Sequence, residues 1–275
     1  MFFSKMHGLK NDFMVIDCIT QNINNLSHQL IKKWSNRYSG IGFDQLLLVE
    51  KSNSPIIDFH YRIFNSDGNE VKQCGNGARC FAYFVLIKKL TYKRKIFVST
   101  YTRTMSLEVI KDKVVKVNIG VPEFNPVSIP SLFTKTQLTY SLLIQKKIFK
   151  FGMVSLGNPH CTIIVKKIYN YPVKSIGKLI SHHIFFPEGV NVGFMEIINK
   201  ENIHLRVFER GVGETKSCGS GACAAVVIGI LQKILNNNVI VKLTGGTLQI
   251  SWKGPGYPIY MIGPVSHVYD GYIII

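Results

Sequence analysis

The chain has 275 residues, 46% of them apolar, a length that suits one large domain or two of about 130 residues and a composition that excludes disorder. The formal charge of +17 first suggests a nucleic-acid binder, but the basic and acidic side chains number 19 and 10 in residues 1–137 and 14 and 6 in residues 138–275. An excess spread this evenly, carried by 26 Lys to 7 Arg, forms no basic arm and lacks the Arg forks that read phosphate and base edges.

In chain order, residues 13–16 and 46–49 read as strands separated by a polar, helix-compatible stretch. Phe59, Tyr61 and Ile63 alternate with strand period, and a Cys-Gly-x-Gly-Ala turn at 74–78 opens a helix whose Phe81, Phe84, Val85 and Lys88 share a face. Strand-like runs follow at 96–100, 105–110 and 114–119, and the stretch 122–151 is expected to cross between domains. The same grammar then recurs. Strands are expected at 161–165 and 192–197, with alternation at Ile203, Leu205 and Val207. A second Cys-Gly-x-Gly-Ala turn at 218–222 opens a helix that is apolar all round to 231, followed by strands at 239–243, 248–252 and 259–262.

Strands outnumber helices, so the expected class is α+β: two pseudo-symmetric duplicated domains, each a sheet wrapped around a central helix, with the active site in the cleft between them. The expected boundaries are 1–120, with 264–275 returning to it, and 121–263. The longest apolar run, 222–231, is about half of what a spanning helix needs. Residues 1–5 carry no basic segment leading into an apolar one, so no secretion signal is read and a soluble, cytoplasmic protein is expected.

The duplication is visible in the letters. Residues 60–78 and 204–222 align without a gap at an offset of 144 and agree at nine of nineteen positions, among them Glu70/Glu214, Lys72/Lys216, Cys74/Cys218, Gly75/Gly219 and Gly77/Gly221. Upstream, residues 8–11 and 41–44 echo 156–159 and 188–191 at offsets near 147. Two copies of such a unit make a two-fold architecture rather than a repeat array.

The six cysteines are Cys18, Cys74, Cys80, Cys161, Cys218 and Cys223. None forms a C-x-x-C and neither motif pair has a histidine beside it, so neither a zinc site nor a disulfide framework is expected. Cys18, Cys80, Cys161 and Cys223 read as packing residues. Cys74 and Cys218 differ, because each precedes a glycine-bracketed helix start. Backbone amides exposed there bind an anion and lower a thiol's pKa. Two thiols, each beside a carboxylate cradle, suit proton removal from one face of an α-carbon and delivery to the other. No pyridoxal site or other cofactor is indicated, so oriented amide donors would have to stabilise the carbanion.

At these residues a family resemblance appears. The segment 5–13 (KMHGLKNDF), the run 65–80 (NSDGNEVKQCGNGARC) and the run 209–224 (ERGVGETKSCGSGACA) resemble the three signature segments of the diaminopimelate epimerases, and the similarity extends end to end through 263–271. Proline racemases and hydroxyproline epimerases resemble it in the cysteine pair but lack the ERGVGET lead-in, and phenazine-biosynthesis isomerase relatives lack the pair. Lys10 stands where the family segment has glycine, and Lys72 and Gln73 where acidic and apolar residues are common.

The resemblance implies cofactor-independent interconversion of LL- and meso-2,6-diaminopimelate on the route to lysine and peptidoglycan. It implies Cys74 and Cys218 as the two bases, with His160 and Glu209 tuning the thiols. Asn11, Gln45, Asn65, Asn158 and Asn191 would read the substrate's polar ends. Gly75, Asn76, Gly219 and Ser220 would present amides to the reacting carboxylate, and Glu209 and Arg210 would bind the terminal amino and carboxylate groups. Tyr269 resembles a position at a homodimer contact. The alternatives weighed against this are a nucleic-acid-binding protein on a duplicated scaffold and a proline- or hydroxyproline-type racemase.

Overall fold

The computed structural model describes residues 1–23, 26–71 and 74–274; Lys72 and Gln73 lie outside the described residues. The chain divides into two compact units, residues 1–118 with 262–275 and residues 119–261.

In the first unit, β1 (Phe2–Gly8) and β2 (Asn11–Asp17) form an antiparallel hairpin with Gly8 opposite Asn11. The two turn residues, Leu9 and Lys10, have φ of 56° and 69°, the positive values that a type I′ turn demands. Helix α1 (His28–Ser35), capped by the Ser27 hydroxyl, crosses to β3 (Gln45–Lys51), which lies parallel to β2. β4 (Phe59–Asn65) returns antiparallel, and α2 (Gly75–Ile87) crosses to β5 (Lys95–Ser99), parallel to β4. β6 (Thr104–Lys111) and β7 (Val114–Gly120) continue as an antiparallel meander.

The strands read as continuous apolar runs because both of their faces are covered. Phe13, Leu47 and Tyr61 meet α2, which is buried from Asn76 to Val85, and the rings of Tyr61 and Phe81 lie 4.7 Å apart. The alternate residues Met14, Ile16, Leu46 and Leu48 pack instead with Ile31 and Trp34 of α1.

The second unit repeats the plan. β8 (Tyr140–Ile144) and β9 (Lys147–Ser155) form a hairpin, and β10 (Pro159–Ile164) pairs antiparallel with β9. Helix α3 (Val173–Ser181) leads to β11 (Asn191–Asn199), parallel to β10; β12 (Asn202–Glu209) is antiparallel to β11, and the short β13 (Gly213–Thr215) folds back on it. Helix α4 (Gly219–Leu231) crosses to β14 (Asn238–Leu243), parallel to β12, and β15 (Gly246–Ser251) pairs antiparallel with β14. β16 (Ile259–Pro264) leads back into the first unit, where β17 (Ser266–Tyr272) pairs antiparallel with β1. From β1 to β6 and from β9 to β15 the pairing alternates antiparallel, parallel, antiparallel, parallel, antiparallel. α4 packs on β9, β10, β11 and β15 as α2 packs on β1, β2, β3 and β6.

The protein is therefore α+β, two repeats of one mixed-sheet plan. The expectation that 122–151 form a crossing is corrected: 140–155 is a hairpin of the second unit. Its Tyr140, Leu142, Ile144, Phe151 and Met153 enter that unit's core, and an alternating apolar pattern of that kind has to be buried. No helix among the described residues is long and apolar enough to cross a membrane.

Candidate active site: one cysteine at each repeated helix start

Each motif cysteine is the N-cap of its unit's central helix. Cys74 and Cys218 have extended backbone (φ −144° and −123°), and their sulfurs accept from the amides of Gly77 and Gly221, both at 3.4 Å. Gly75 and Gly219 are the first helical residues, so their amides belong to the donors that a helix start leaves without intrahelical partners. The close glycines are needed because the helix start presses on the sheet. A Cβ on Gly77 would overlap the Tyr61 hydroxyl, and one on Gly221 would meet Val207 at 3.0 Å and the Cys218 sulfur at 3.2 Å.

In the first unit the Asn11 carbonyl oxygen lies 3.7 Å from the Cys74 sulfur and accepts from Asn76 Nδ2 at 3.2 Å. Gln45 and Asn65 face each other across β3 and β4, with Gln45 Nε2 donating to Asn65 Oδ1 at 2.9 Å. Gln45 Oε1 is buried and accepts no hydrogen bond among the described residues. A buried acceptor of that kind is a place for a ligand's N–H. Tyr269 is half-exposed on β17, its ring edge against Phe3.

The second unit makes a similar chain. Ser220 Oγ is 3.6 Å from the Cys218 sulfur and accepts from Asn158 Nδ2 at 3.4 Å, and Asn158 Oδ1 is 3.0 Å from His160 Nε2. His160 is 1% exposed, and burial, with the Arg210 charge, pushes its pKa down to about 3. The imidazole is therefore neutral and donates from Nε2 to Asn158. It reaches the thiol through Asn158 and Ser220.

Glu209 ends β12, where Thr215 Oγ1 donates to its carboxylate at 2.5 Å. Burial raises the Cys218 pKa well above that of an ordinary thiol, and the Glu209 charge raises it further, against the Ser220 and Gly221 donors. Burial and Glu209 together favour the thiol form of Cys218. Asn191 is buried with its amide engaged, donating to Pro159 O at 2.9 Å and accepting from Arg210 N at 3.0 Å. It thereby fixes the start of the 210–213 loop, while the exposed Arg210 side chain reaches Glu188 O.

Burial pushes the Cys18 thiol up to about 12 and raises Cys80 and Cys161 as well, which leaves those three as packing thiols. Tyr61, Asp44, Arg79 and Thr215 also lie around these groups, and none of them is marked as a site residue by the sequence pattern. Arg79 carried the one available signal, a charge inside an otherwise apolar helix.

The arrangement offers a sulfur and a set of helix-start donors in each unit. Such a set can hold a carboxylate and exchange a proton beside it. A sequence model of the family described as diaminopimelate epimerase matches residues 3–125 and 152–268. Diaminopimelate epimerases of Buchnera aphidicola subsp. Acyrthosiphon pisum, strains APS and 5A, are each 58% identical over 273 residues, covering 99% of this chain and 96% of theirs. Among solved structures, a hydroxyproline epimerase from Agrobacterium vitis with bound trans-4-hydroxy-L-proline superposes with a TM-score of 0.72 at 12% identity, over 98% of this chain and 91% of that one. A PhzF-family phenazine biosynthesis protein from Bacillus anthracis gives 0.66 at 14% identity, over 100% and 99%. These two structures share the fold.

Proposed function

The chain belongs to the diaminopimelate epimerase family, and from that premise we propose that it interconverts LL- and meso-2,6-diaminopimelate, without a cofactor, on the route to lysine and peptidoglycan precursors. The observation that carries the mechanism is the duplicated N-cap cysteine, one sulfur at each repeated helix start.

An α-proton is very weakly acidic, so the carbanion must be stabilised where its charge spreads, onto the carboxylate. Amides at the starts of α2 and α4, at Gly75–Asn76 and Gly219–Ser220, supply aligned donors that need no reorganisation as charge develops. One cysteine, as thiolate, removes the proton from one face while the other, as thiol, delivers a proton to the opposite face. The roles exchange with direction. Glu209 favours the thiol form of Cys218 and so equips it as the acid for one direction. The His160–Asn158–Ser220 chain holds that environment in place. Gln45 Oε1, an acceptor awaiting a donor, suits a substrate ammonium, with Asn65 beside it. Arg210 and Glu209 suit the substrate's terminal carboxylate and amino groups.

A cytoplasmic homodimer completes the reading, its contact at β17, where Val268, Tyr269 and Tyr272 are exposed on one strand. The test is turnover in deuterated water with LL-diaminopimelate, L-proline and 4-hydroxyproline offered separately. Deuterium at the α-carbon of diaminopimelate alone is expected. Turnover of proline or hydroxyproline without diaminopimelate would transfer the assignment to the racemase alternative, which shares this fold.

A further inference from the structure

The two half-sites differ in what lies behind the cysteine. In the first unit the Arg79 guanidinium is fully buried, donating to Asn76 Oδ1 at 2.9 Å and to Pro264 O at 3.2 Å. A Cβ on Gly8 would meet Arg79 Nη2 at 2.9 Å, so the hairpin leaves room for this group. Asn76 Nδ2 donates to Asn11 Oδ1 at 3.2 Å, and Asn11 Nδ2 donates to Asp44 Oδ2 at 3.0 Å. Asp44 also takes Arg37 Nη2 on its other oxygen at 2.7 Å.

The two ends of this chain have fixed chemistry. A guanidinium only donates and a carboxylate only accepts. The two amides between them could each be turned by half a revolution at little cost in shape. The ends permit one direction, running from Arg79 through Asn76 and Asn11 to Asp44.

We propose that Arg79 and Asp44 are positioning residues that set the direction of the Asn76 and Asn11 amides and so turn the carbonyl oxygen of Asn11, rather than its NH2, toward the Cys74 sulfur. A carbonyl there accepts a thiol's proton; an NH2 would stabilise a thiolate. Among the described residues the second repeat has different groups at these positions. The aligned positions in the second repeat are Cys223, in place of Arg79, and Asn191, whose amide is committed to Pro159 and Arg210. The relay favours the thiol form of Cys74, the form that delivers the proton in one direction, and rests on the two-thiol reading for its catalytic consequence.

Asp44 is half-exposed and can be altered without opening the core. Among the described residues, Tyr61 on β4 and Arg79 and Cys80 on α2 are titratable groups beside Cys74, and Asp12 keeps Lys5 and Arg37 when Asp44 is changed. The experiment is the pH profile of Cys74 alkylation by iodoacetamide, read by mass spectrometry, together with kcat and KM, for Asp44→Ala and Asp44→Asn. Asp44→Ala removes the acceptor, so Asn11 can turn. Its alkylation profile should shift to lower pH by about half a unit or more, as expected when a thiolate gains a donor, and kcat should fall about tenfold in the direction in which Cys74 delivers the proton. Asp44→Asn keeps an acceptor of the same shape and should restore both measures to within about threefold.

If Asp44 acted only through its ion pair with Arg37, both variants would fail alike, and that outcome overturns the relay. An unshifted profile in Asp44→Ala overturns it as well. Arg79→Lys tests the other end: a donor-only side chain should retain the wild-type profile where Arg79→Met, if folded, should not. Failure of the two-base reading would show separately, as turnover retained by Cys74→Ala whatever the Asp44 variants do.

Discussion

Gly77 and Tyr61 form a pair whose coupling can be computed from their geometry. A Cβ at position 77 would sit about 1 Å inside ordinary contact with the Tyr61 hydroxyl oxygen, while Leu47 and Phe13 would lie at 3.2 and 3.3 Å. Tyr61 cannot swing away, because it is 1% exposed and its ring is held 4.7 Å from that of Phe81. Gly77→Ala should therefore destabilise by about 1–3 kcal/mol through overpacking, less the roughly 0.4–1 kcal/mol that alanine returns by restricting the unfolded chain. Tyr61→Phe removes the hydroxyl and its long bond to Cys74 O, 3.4 Å, at a cost of about 1 kcal/mol. In the double variant the clash is gone, so the combined loss should be no greater than that of Tyr61→Phe alone. The coupling should equal the relieved overpacking, about 1–3 kcal/mol, within the range for contacting residues. Urea denaturation of the four proteins measures it. Additive losses would refute the claim that the helix start is pressed against the sheet through that hydroxyl. Because Cys74 rides on the same helix start, kcat should fall in Gly77→Ala and recover in the double variant.

Lys10→Gly should stabilise the hairpin. A left-handed residue other than glycine costs about 1–2 kcal/mol, offset by the roughly 0.5–1 kcal/mol of extra freedom glycine has when unfolded, so a gain of up to about 1.5 kcal/mol is expected in urea denaturation. Glu209→Gln removes a charge that raises the Cys218 pKa after burial has done so. The ultraviolet thiolate absorbance of Cys218, read in a Cys74→Ser background, should appear about one pH unit lower or more. His160 stays neutral in the folded protein down to about 3 but protonates near 6.5 when unfolded, so the unfolded chain binds the extra proton between those values. Stability should fall with acid through that window by at most about 1.4 kcal/mol per pH unit from this group. His160→Gln should flatten the slope of unfolding free energy measured between about pH 6 and 4.

The features legible in the sequence were those set by local pattern. The alternation at Phe59, Tyr61 and Ile63 and the apolar helix from Ala222 mark strand and core directly, and the aligned cysteines mark both helix starts. In 122–151 the prolines at 122, 126 and 130 read as a crossing and mask the alternating strand pattern that begins at Tyr140. β13 is three residues long and is defined by its pairing with β12, which no local signal announces. Roles in the half-sites were harder to read for the same reason. That Asn191 clamps Arg210, or that Arg79 directs Asn76, depends on which atoms face one another across elements distant in sequence. The burial that raises the Cys218 pKa is likewise a property of the packed unit.

The central claim is that both cysteines are bases, and epimerisation by Cys74→Ala and Cys218→Ala, assayed in both directions, tests it most directly. Each variant should lose turnover by about a thousandfold or more, as loss of an essential nucleophile or base commonly does, while melting like the parent protein. Near-normal epimerisation by either variant would contradict the two-thiol mechanism.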